Sequence, residues 1–65
     1  MAKKSVNWNE PVVVICYNQA KQYDTRQEAF DYFEEAMYAC EGAEAERYKN
    51  ICYDLKCGLL VAKDS

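Results

Sequence analysis

The chain has 65 residues, of which 51% are hydrophobic and 29% charged, and its formal net charge is −3. This length allows one small domain, and the composition is typical of a globular protein and not of a disordered one. The eight basic residues are scattered along the chain. Because binding to phosphates requires clustered basic residues, we expect no nucleic-acid partner and no attachment to an anionic membrane.

The first ten residues predict a polar lead-in, 1–10, with Trp8 as an anchor against a single domain over 11–65. Polar residues and Pro11 interrupt any apolar segment after the basic start, so no signal peptide is expected. The longest apolar run, 12–17, is far shorter than the roughly 20 residues that a membrane span needs. We therefore expect a cytoplasmic protein.

Two segments predict the strands of a small sheet. The β-branched run 12–17 has the length of a strand and lacks polar alternation, which predicts a central strand or one covered on both faces. Residues 18–21 are typical of a turn, and Gln22 with Tyr23 predicts a short return strand that would complete a hairpin. A last strand is predicted over 59–62, before a charged tail.

The clearest local signal is a capping box at residues 25–28. In this motif the hydroxyl of Thr25 accepts from the backbone amide of Glu28, and the glutamate carboxylate accepts from the threonine amide. Apolar residues at helical spacing follow and predict an amphipathic helix over 25–41, which Gly42 ends as a left-handed C-cap residue. The apolar stripe comprises Ala29, Phe33, Ala36, Met37 and Cys40, and the acids opposite it are Glu28, Asp31, Glu34 and Glu35.

A second apolar stripe predicts a helix over 43–57, ended by Gly58. Its members are Ala45, Tyr48, Ile51, Cys52 and Leu55. One continuous helix through both stripes would be too long for so small a globule, so we expect a helical hairpin. The predicted fold is a two-layer α+β domain, β-(β)-α-α-β, in which this hairpin packs on a two- or three-stranded sheet.

The chain contains four cysteines and no histidine, which limits the metal chemistry available to it. The cysteines show no knuckle-like pairs, and Cys52 and Cys57 lie about 140° apart on a helix and do not converge. We expect all four to be reduced, metal-free thiols that act as small hydrophobic side chains, with Cys57 reacting first and Cys40 and Cys52 late. No cofactor and no metal are predicted, although a thiol-based metal site is kept as an alternative.

The reactive side chains argue against catalysis. Acid–base and nucleophilic catalysis need a positioned base beside a nucleophile. The two serines, Ser5 and Ser65, are near the termini, and no thiol has an obvious base beside it. A glycine-rich phosphate loop is also absent from the sequence. We therefore predict that the protein is not an enzyme.

A spaced pattern over the last two thirds of the chain resembles a known group of proteins. The pattern runs Tyr23-x-Thr25-x-x-Glu28-Ala29, then Gly42-x-Glu44-x-Glu46-Arg47-Tyr48-x-x-Ile51, then Leu55 and Gly58. It resembles small proteins of unknown function carried by mobile elements and phages of gut Firmicutes, over roughly residues 21–64. The resemblance implies a cytoplasmic bacterial protein from an accessory genome, and it transfers no catalytic residue.

Aromatic residues are in surplus, since six tyrosines, two phenylalanines and one tryptophan exceed what two helices and a small sheet can bury. On helical wheels Tyr38 lies among acids opposite the first stripe, and Tyr53 lies outside the second stripe near Lys49 and Lys56. A single exposed aromatic residue is ordinary, but tyrosine is also a favoured interface residue. Two outward tyrosines favour a role in binding.

Glu44 and Arg47 are three residues apart on the second helix. They predict either an intrahelical ion pair or a polar handle for a partner. We therefore predict an interaction protein, an adaptor or an inhibitor, that binds an unidentified protein or a second copy of itself through Tyr38, Tyr53, Glu44 and Arg47. The alternative is a small-ligand or thiol-based metal-binding module.

Overall fold

The structure is a computed structural model that describes residues 6–64. Residues 1–5 of the predicted lead-in and Ser65 of the predicted tail lie outside the described residues. The elements are β1 (Val12–Cys16), β2 (Gln19–Tyr23), α1 (Arg26–Ala39), α2 (Ala43–Lys56) and β3 (Val61–Lys63). The predicted α+β fold, with a helical hairpin on a three-stranded sheet, is confirmed.

The β-branched run forms the central strand of the sheet. The strand order is β2-β1-β3, in which β2 pairs antiparallel and β3 parallel with β1. Val12 and Val14 are buried beneath the helices, whereas Val13 and Ile15 on the other face are half-buried. Of the two predicted environments for this strand, the central position is the one that it occupies, and the helices cover one face of the sheet.

The β1–β2 hairpin turns earlier than predicted. Tyr17 and Asn18 form a two-residue turn with φ of 54° and 64°, and β2 begins at Gln19. A two-residue hairpin turn in which both residues have positive φ has a twist that matches the twist of the flanking strands. Asparagine tolerates a positive φ well. The prediction of a turn over 18–21 was wrong because Tyr17 has no turn preference of its own. A side chain this bulky adopts a left-handed conformation only where its surroundings hold it.

The capping signal of α1 is confirmed at its threonine, but the end of the helix differs from the prediction. The Thr25 hydroxyl accepts from the amide of Glu28 at 3.1 Å. The helix ends at Ala39, two residues before the predicted end. Gly42, with φ of 66°, is the N-cap residue of α2 and not the C-cap residue of α1. Its positive φ serves the three-residue reversal of the chain between the helices.

Gly58 ends α2 as predicted. Its φ is 92°, its amide donates to the Leu55 carbonyl at 3.2 Å, and the Leu59 amide donates to the Asp54 carbonyl at 3.2 Å. This is the Schellman pattern of helix ends. Because Leu59 and Leu60 complete the exit from the helix, β3 begins at Val61 and not at residue 59.

The hydrophobic core lies between the helical hairpin and β1. It comprises Val12, Val14, Tyr23, Ala29, Phe33, Ile51, Cys52, Leu55 and Ala62. The second half of the α1 stripe is half-buried. α2 packs closely on β3, whereas α1 contacts the sheet less extensively, which leaves an opening above β2. Within residues 6–64 neither helix combines the length and apolarity needed to cross a membrane.

The last residues of the lead-in pack against the helices. Trp8 meets Phe30 edge to face, with ring centroids 5.3 Å apart. The Trp8 carbonyl accepts from the amide of Gln27 at 2.9 Å. The anchoring role predicted for Trp8 is therefore confirmed.

Arg26, the first residue of α1, is fully buried. The sequence did not predict this burial, because Arg26 is one of several basic residues scattered along the chain.

Candidate interaction surface

An aromatic groove opens between α1 and the β2 side of the sheet. Its volume is about 240 Å³. Five aromatic side chains line it, from four different segments of the chain: Tyr17, Tyr23, Tyr32, Phe33 and Tyr48. Cys16 and Lys21 are also in its wall. We refer to this feature as the aromatic groove.

The floor of the aromatic groove consists of packed aromatic rings, and part of its rim is exposed. Phe33 lies at the centre, with ring centroids 5.9 Å from Tyr23, 5.0 Å from Tyr32 and 5.9 Å from Tyr48. Tyr23 and Phe33 are buried, whereas Tyr17 and Tyr32 are 50% and 59% exposed. Edge-to-face contacts between aromatic rings favour one arrangement over others. The rings of the floor therefore support one another.

Five polar side chains hold the Tyr17 end of the groove, and we call them the Tyr17 cluster: Tyr17, Glu44, Arg47, Tyr48 and Asp64. The Tyr17 amide donates to Asp64 Oδ2 at 2.9 Å, and the Tyr17 hydroxyl donates to Glu44. Tyr48 donates to the same carboxylate at 3.0 Å. Arg47 pairs with Asp64, and its guanidinium lies 4.1 Å from the centre of the Tyr17 ring. Together these contacts hold Tyr17 in its left-handed conformation.

The charges of this cluster are fixed near neutral pH. Hydrogen bonds from the two tyrosine hydroxyls lower the pKa of Glu44. The Tyr17 amide, followed by Arg47, lowers the pKa of Asp64. The hydrogen bond to Glu44 raises the pKa of Tyr48 well above its usual value. A general acid or base works best with a pKa near the operating pH, so these shifts do not equip the cluster for proton transfer.

Glu44 and Arg47, two of the predicted binding residues, are brought together in the Tyr17 cluster. Their contacts differ from the predicted intrahelical ion pair, because Arg47 pairs with Asp64 and Glu44 accepts from two tyrosines. They position the rim of the aromatic groove, and the proposal that they contact a partner directly stays a prediction.

Tyr38 and Tyr53, the other two predicted binding residues, lie apart from the groove. They are 77% and 67% exposed, as expected from the helical wheels. Each is near the C-terminal end of its own helix, and the helices run antiparallel. Their positions are therefore separated by about 15 Å along the helix axes. The structure does not join them into one surface.

The outer edge of β2 borders the aromatic groove, and among residues 6–64 no strand pairs with it. The Val13 amide and the Ile15 carbonyl bond to the β3 side of β1. Their partners across the hairpin are Gln22 and Ala20, which are consequently at the non-hydrogen-bonded positions. The N–H and C=O groups of Ala20 and Gln22 point away from the sheet.

The cysteines lie in different surroundings. Cys16 is half-buried beside the groove, and burial followed by the charge of Asp64 raises its pKa. Burial raises the pKa of Cys52 to about 11. Cys57 is exposed, in agreement with the expected order of reactivity. Among residues 6–64, no three side chains of metal-ligating type lie close enough together to hold an ion.

Sequence reasoning missed four groove residues: Tyr17, Lys21, Tyr23 and Tyr32. The sequence pattern predicts the end of a strand at Tyr17 and a turn at Lys21. One available signal was the alternation in β2, where residues 19, 21 and 23 share the face of the sheet that lies under the helices.

Comparisons with protein-family models, with curated proteins and with solved structures found no significant match to this chain.

Proposed function

We propose that this protein is a small, non-catalytic cytoplasmic module that binds another protein, as an adaptor or an inhibitor. The observation that supports this most is the aromatic groove, with a buried floor and exposed tyrosines on its rim. Tyrosine buries a large area for the loss of few rotamers, which makes it a frequent anchor of protein interfaces. An origin in a bacterial mobile element or phage is part of the proposal and rests on the resemblance over residues 21–64.

The size of the groove favours a partner side chain over a metabolite. Small-molecule sites usually have volumes of about 300–1,000 Å³ and enclose most of their ligand. The groove, at about 240 Å³, is smaller and open on one side. It is suited to one large side chain whose main chain stays outside, which is how a protein partner presents an anchor residue.

Apolar side chains elsewhere on the surface also support a protein partner. Seven large apolar residues are at least 45% exposed: Tyr17, Tyr32, Tyr38, Tyr53, Leu59, Leu60 and Val61. Three of them, Leu59, Leu60 and Val61, are consecutive in the chain, and exposed apolar patches commonly mark interaction sites. The thiol-based alternative has less support, because among residues 6–64 no three side chains of metal-ligating type lie close together.

Site-specific photo-crosslinking in bacterial cells that carry the gene would test the proposal. A photoreactive residue would replace Tyr32 at the groove or, separately, Tyr38 or Tyr53 on the helices. We expect a defined adduct with one protein from at least one of these positions, and we expect excess unmodified protein to compete it away. Absence of a saturable adduct from all three positions would contradict the proposal.

Alanine variants provide the matched control for this experiment. Tyr38→Ala and Tyr53→Ala should each change the free energy of unfolding by no more than about 0.5 kcal/mol, because these side chains are exposed. Tyr32→Ala should cost up to about 1.5 kcal/mol, because the Tyr32 ring also packs edge to face on Phe33. The variant at the true interface should then lose the adduct while keeping its helix content by circular dichroism. If a variant unfolds, the corresponding tyrosine supports the fold and is not free for binding.

A further inference from the structure

We infer that the free edge of β2 binds an extended strand of the partner protein, with an aromatic or large aliphatic side chain in the aromatic groove and a carboxylate beside Lys21. This inference rests on the proposed protein-binding function and specifies the chemistry of the partner. It is carried by three features of the same surface: the unpaired backbone of β2, the groove beside it, and the charge of Lys21.

The backbone of β2 offers the first feature. Ala20 and Gln22 direct their N–H and C=O groups away from the sheet, and residues 19–22 are all exposed. Addition of a strand to such an edge satisfies these groups, and main-chain hydrogen bonds then supply affinity for any extended segment. β3 is less available, because the Lys63 amide already donates to Asp54 Oδ2 at 3.1 Å.

The groove offers the second feature, which is selection of a side chain. A strand added beside β2 would lie about 4.8 Å from it and would direct every second side chain to the face that carries the helices. On that face the aromatic groove is open at its rim, where Tyr32 is 59% exposed. One large apolar side chain of the added strand would therefore enter the groove, while its neighbours stay in solvent.

Lys21 offers the third feature, which is selection by charge. A lysine directed to the covered face of an edge strand normally prevents pairing with other strands, because pairing would bury an unmatched charge. The Lys21 ammonium lies 5.4 Å from the centre of the Tyr23 ring, and within residues 6–64 it forms no ion pair. A strand with aspartate or glutamate opposite Lys21 would neutralise this charge. A wholly apolar strand would leave the charge of Lys21 unmatched, and so would a second copy of β2 that places its own lysine there.

A blocked peptide can test this inference directly. The probe is Ac-Thr-Glu-Thr-Phe-Thr-Val-Thr-NH2, in which glutamate and phenylalanine share one face of a strand. Its controls are the same peptide with lysine in place of glutamate, and two analogues N-methylated on alternate sets of amides. In the native protein we expect the probe to shift the amide resonances of Ala20 and Gln22 and to slow alkylation of Cys16. Cys57, at the far end of α2, is the internal control and should alkylate at an unchanged rate.

The variants distinguish strand addition from simple side-chain binding. Ala20→Pro removes one outward amide at an edge where proline is tolerated, and it should abolish binding without unfolding the protein. Lys21→Glu should reverse the preference between the glutamate and lysine peptides, by up to about fivefold for each peptide. Tyr32→Ala should weaken binding by fivefold or more, as loss of an anchor contact of more than about 1 kcal/mol does. If Ala20→Pro fails to fold, the N-methylated analogues replace it, since only one set should lose binding.

Other results would overturn the inference. If the probe fails to bind, if both N-methylated sets bind equally, or if the shifts map to Tyr38 and Tyr53, strand addition at β2 is wrong. If the protein alone is a dimer that Ala20→Pro converts to a monomer, the occupant is a second copy and not an acidic strand. A photo-crosslinked partner found alongside a negative peptide result would leave the proposed function standing and reject only this site.

Discussion

Arg26 and Arg47 lie at opposite ends of the helix layer and are used in different ways. Arg26 is fully buried, and all five of its N–H donors are occupied. Arg47 is about one-third exposed, and its Nε, although buried, has no hydrogen-bond partner among residues 6–64. A fully matched guanidinium holds a structure together, whereas a partly matched one can give up its contacts at little cost.

The partners of the two arginines show the same contrast. Four of the five acceptors of Arg26 are backbone carbonyls: Asn7 at 3.2 Å, Leu55 at 3.0 Å, Leu59 at 2.7 Å and Gly58 at 3.3 Å. The fifth is the carboxylate of Glu10. Three of these carbonyls lie at the C-terminal end of α2, where the helix dipole favours a cation. Arg26 thereby joins the lead-in, the start of α1 and the exit from α2.

Among residues 6–64 the hydrogen-bond acceptor of Arg47 is a side chain and not the backbone. Arg47 pairs with Asp64, whose side chain is largely buried, and stacks on the ring of Tyr17, which is half exposed. The Arg26 end therefore fixes the path of the chain, while the Arg47 end positions one rim of the aromatic groove. We expect the Arg26 end to contribute more to the free energy of unfolding than the Arg47 end, and three predictions test this difference.

The largest effect is expected from Arg26→Lys. Lysine keeps the positive charge but has three donors in a different geometry, so buried carbonyls and Glu10 would lose partners. We expect a loss of about 3–5 kcal/mol in the free energy of unfolding, as for other broken buried pairs. That is most of the stability available to so small a domain. Urea unfolding followed by circular dichroism would measure it.

Arg47→Lys is the matched control, since the chemical change is the same at the other end. Its expected cost is at most about 1 kcal/mol, because Arg47 is one-third exposed and lysine keeps a positive charge beside Asp64. Equal losses for the two variants would show that the two ends do not differ in the way described.

Acid should loosen the Arg47 end. The folded pKa values of Glu44 and Asp64 lie below their ordinary values of 4.5 and 3.8, because donors around them favour the carboxylate forms. Such groups stabilise the folded protein at a pH above these ordinary values, and the contribution is lost as the pH falls through the lowered ones. We therefore expect the free energy of unfolding to decrease as the pH is lowered through this acid range. Urea unfolding at a series of pH values would follow the decline.

A double variant, Glu44→Gln with Asp64→Asn, shows which groups cause the decline. It should be less stable than the unmodified protein at neutral pH and should lose less stability on acidification. An acid decline that is the same in both proteins would assign the titration to other carboxylates.

The smallest effect is expected from Tyr17→Phe. The variant loses the hydroxyl that donates to Glu44 but keeps the ring beneath Arg47, and the remaining donor, Tyr48, still serves the carboxylate. We expect a cost of about 0.5 kcal/mol, the low end for a lost hydrogen bond, because Tyr17 is half exposed. Thermal unfolding would detect it, and Tyr53→Phe on the outer face of α2 is the control. A loss as large as that of Arg26→Lys would mean that the Tyr17 cluster is a main support of the fold.

The sequence by itself determined the elements and their general packing. The Thr25 cap, the two apolar stripes, Gly58 and the β-branched run are local patterns, each readable within one or two turns of helix or one strand. They predicted both helices to within two residues at their ends and the central position of β1. They also predicted that Tyr38 and Tyr53 point outward, because helical periodicity fixes the side on which a residue lies.

Tertiary structure alone decided the surroundings of Arg26, the turn at Tyr17 and the aromatic groove. Arg26 reads as an ordinary surface residue within its capping box, and its burial depends on carbonyls about 30 residues further along the chain. Tyr17 adopts a left-handed turn because Glu44 and Asp64, also distant in sequence, hold its hydroxyl and its amide. The free energy of such contacts comes from groups that meet only after the helices dock on the sheet. The spacing of residues along the chain therefore does not predict these contacts.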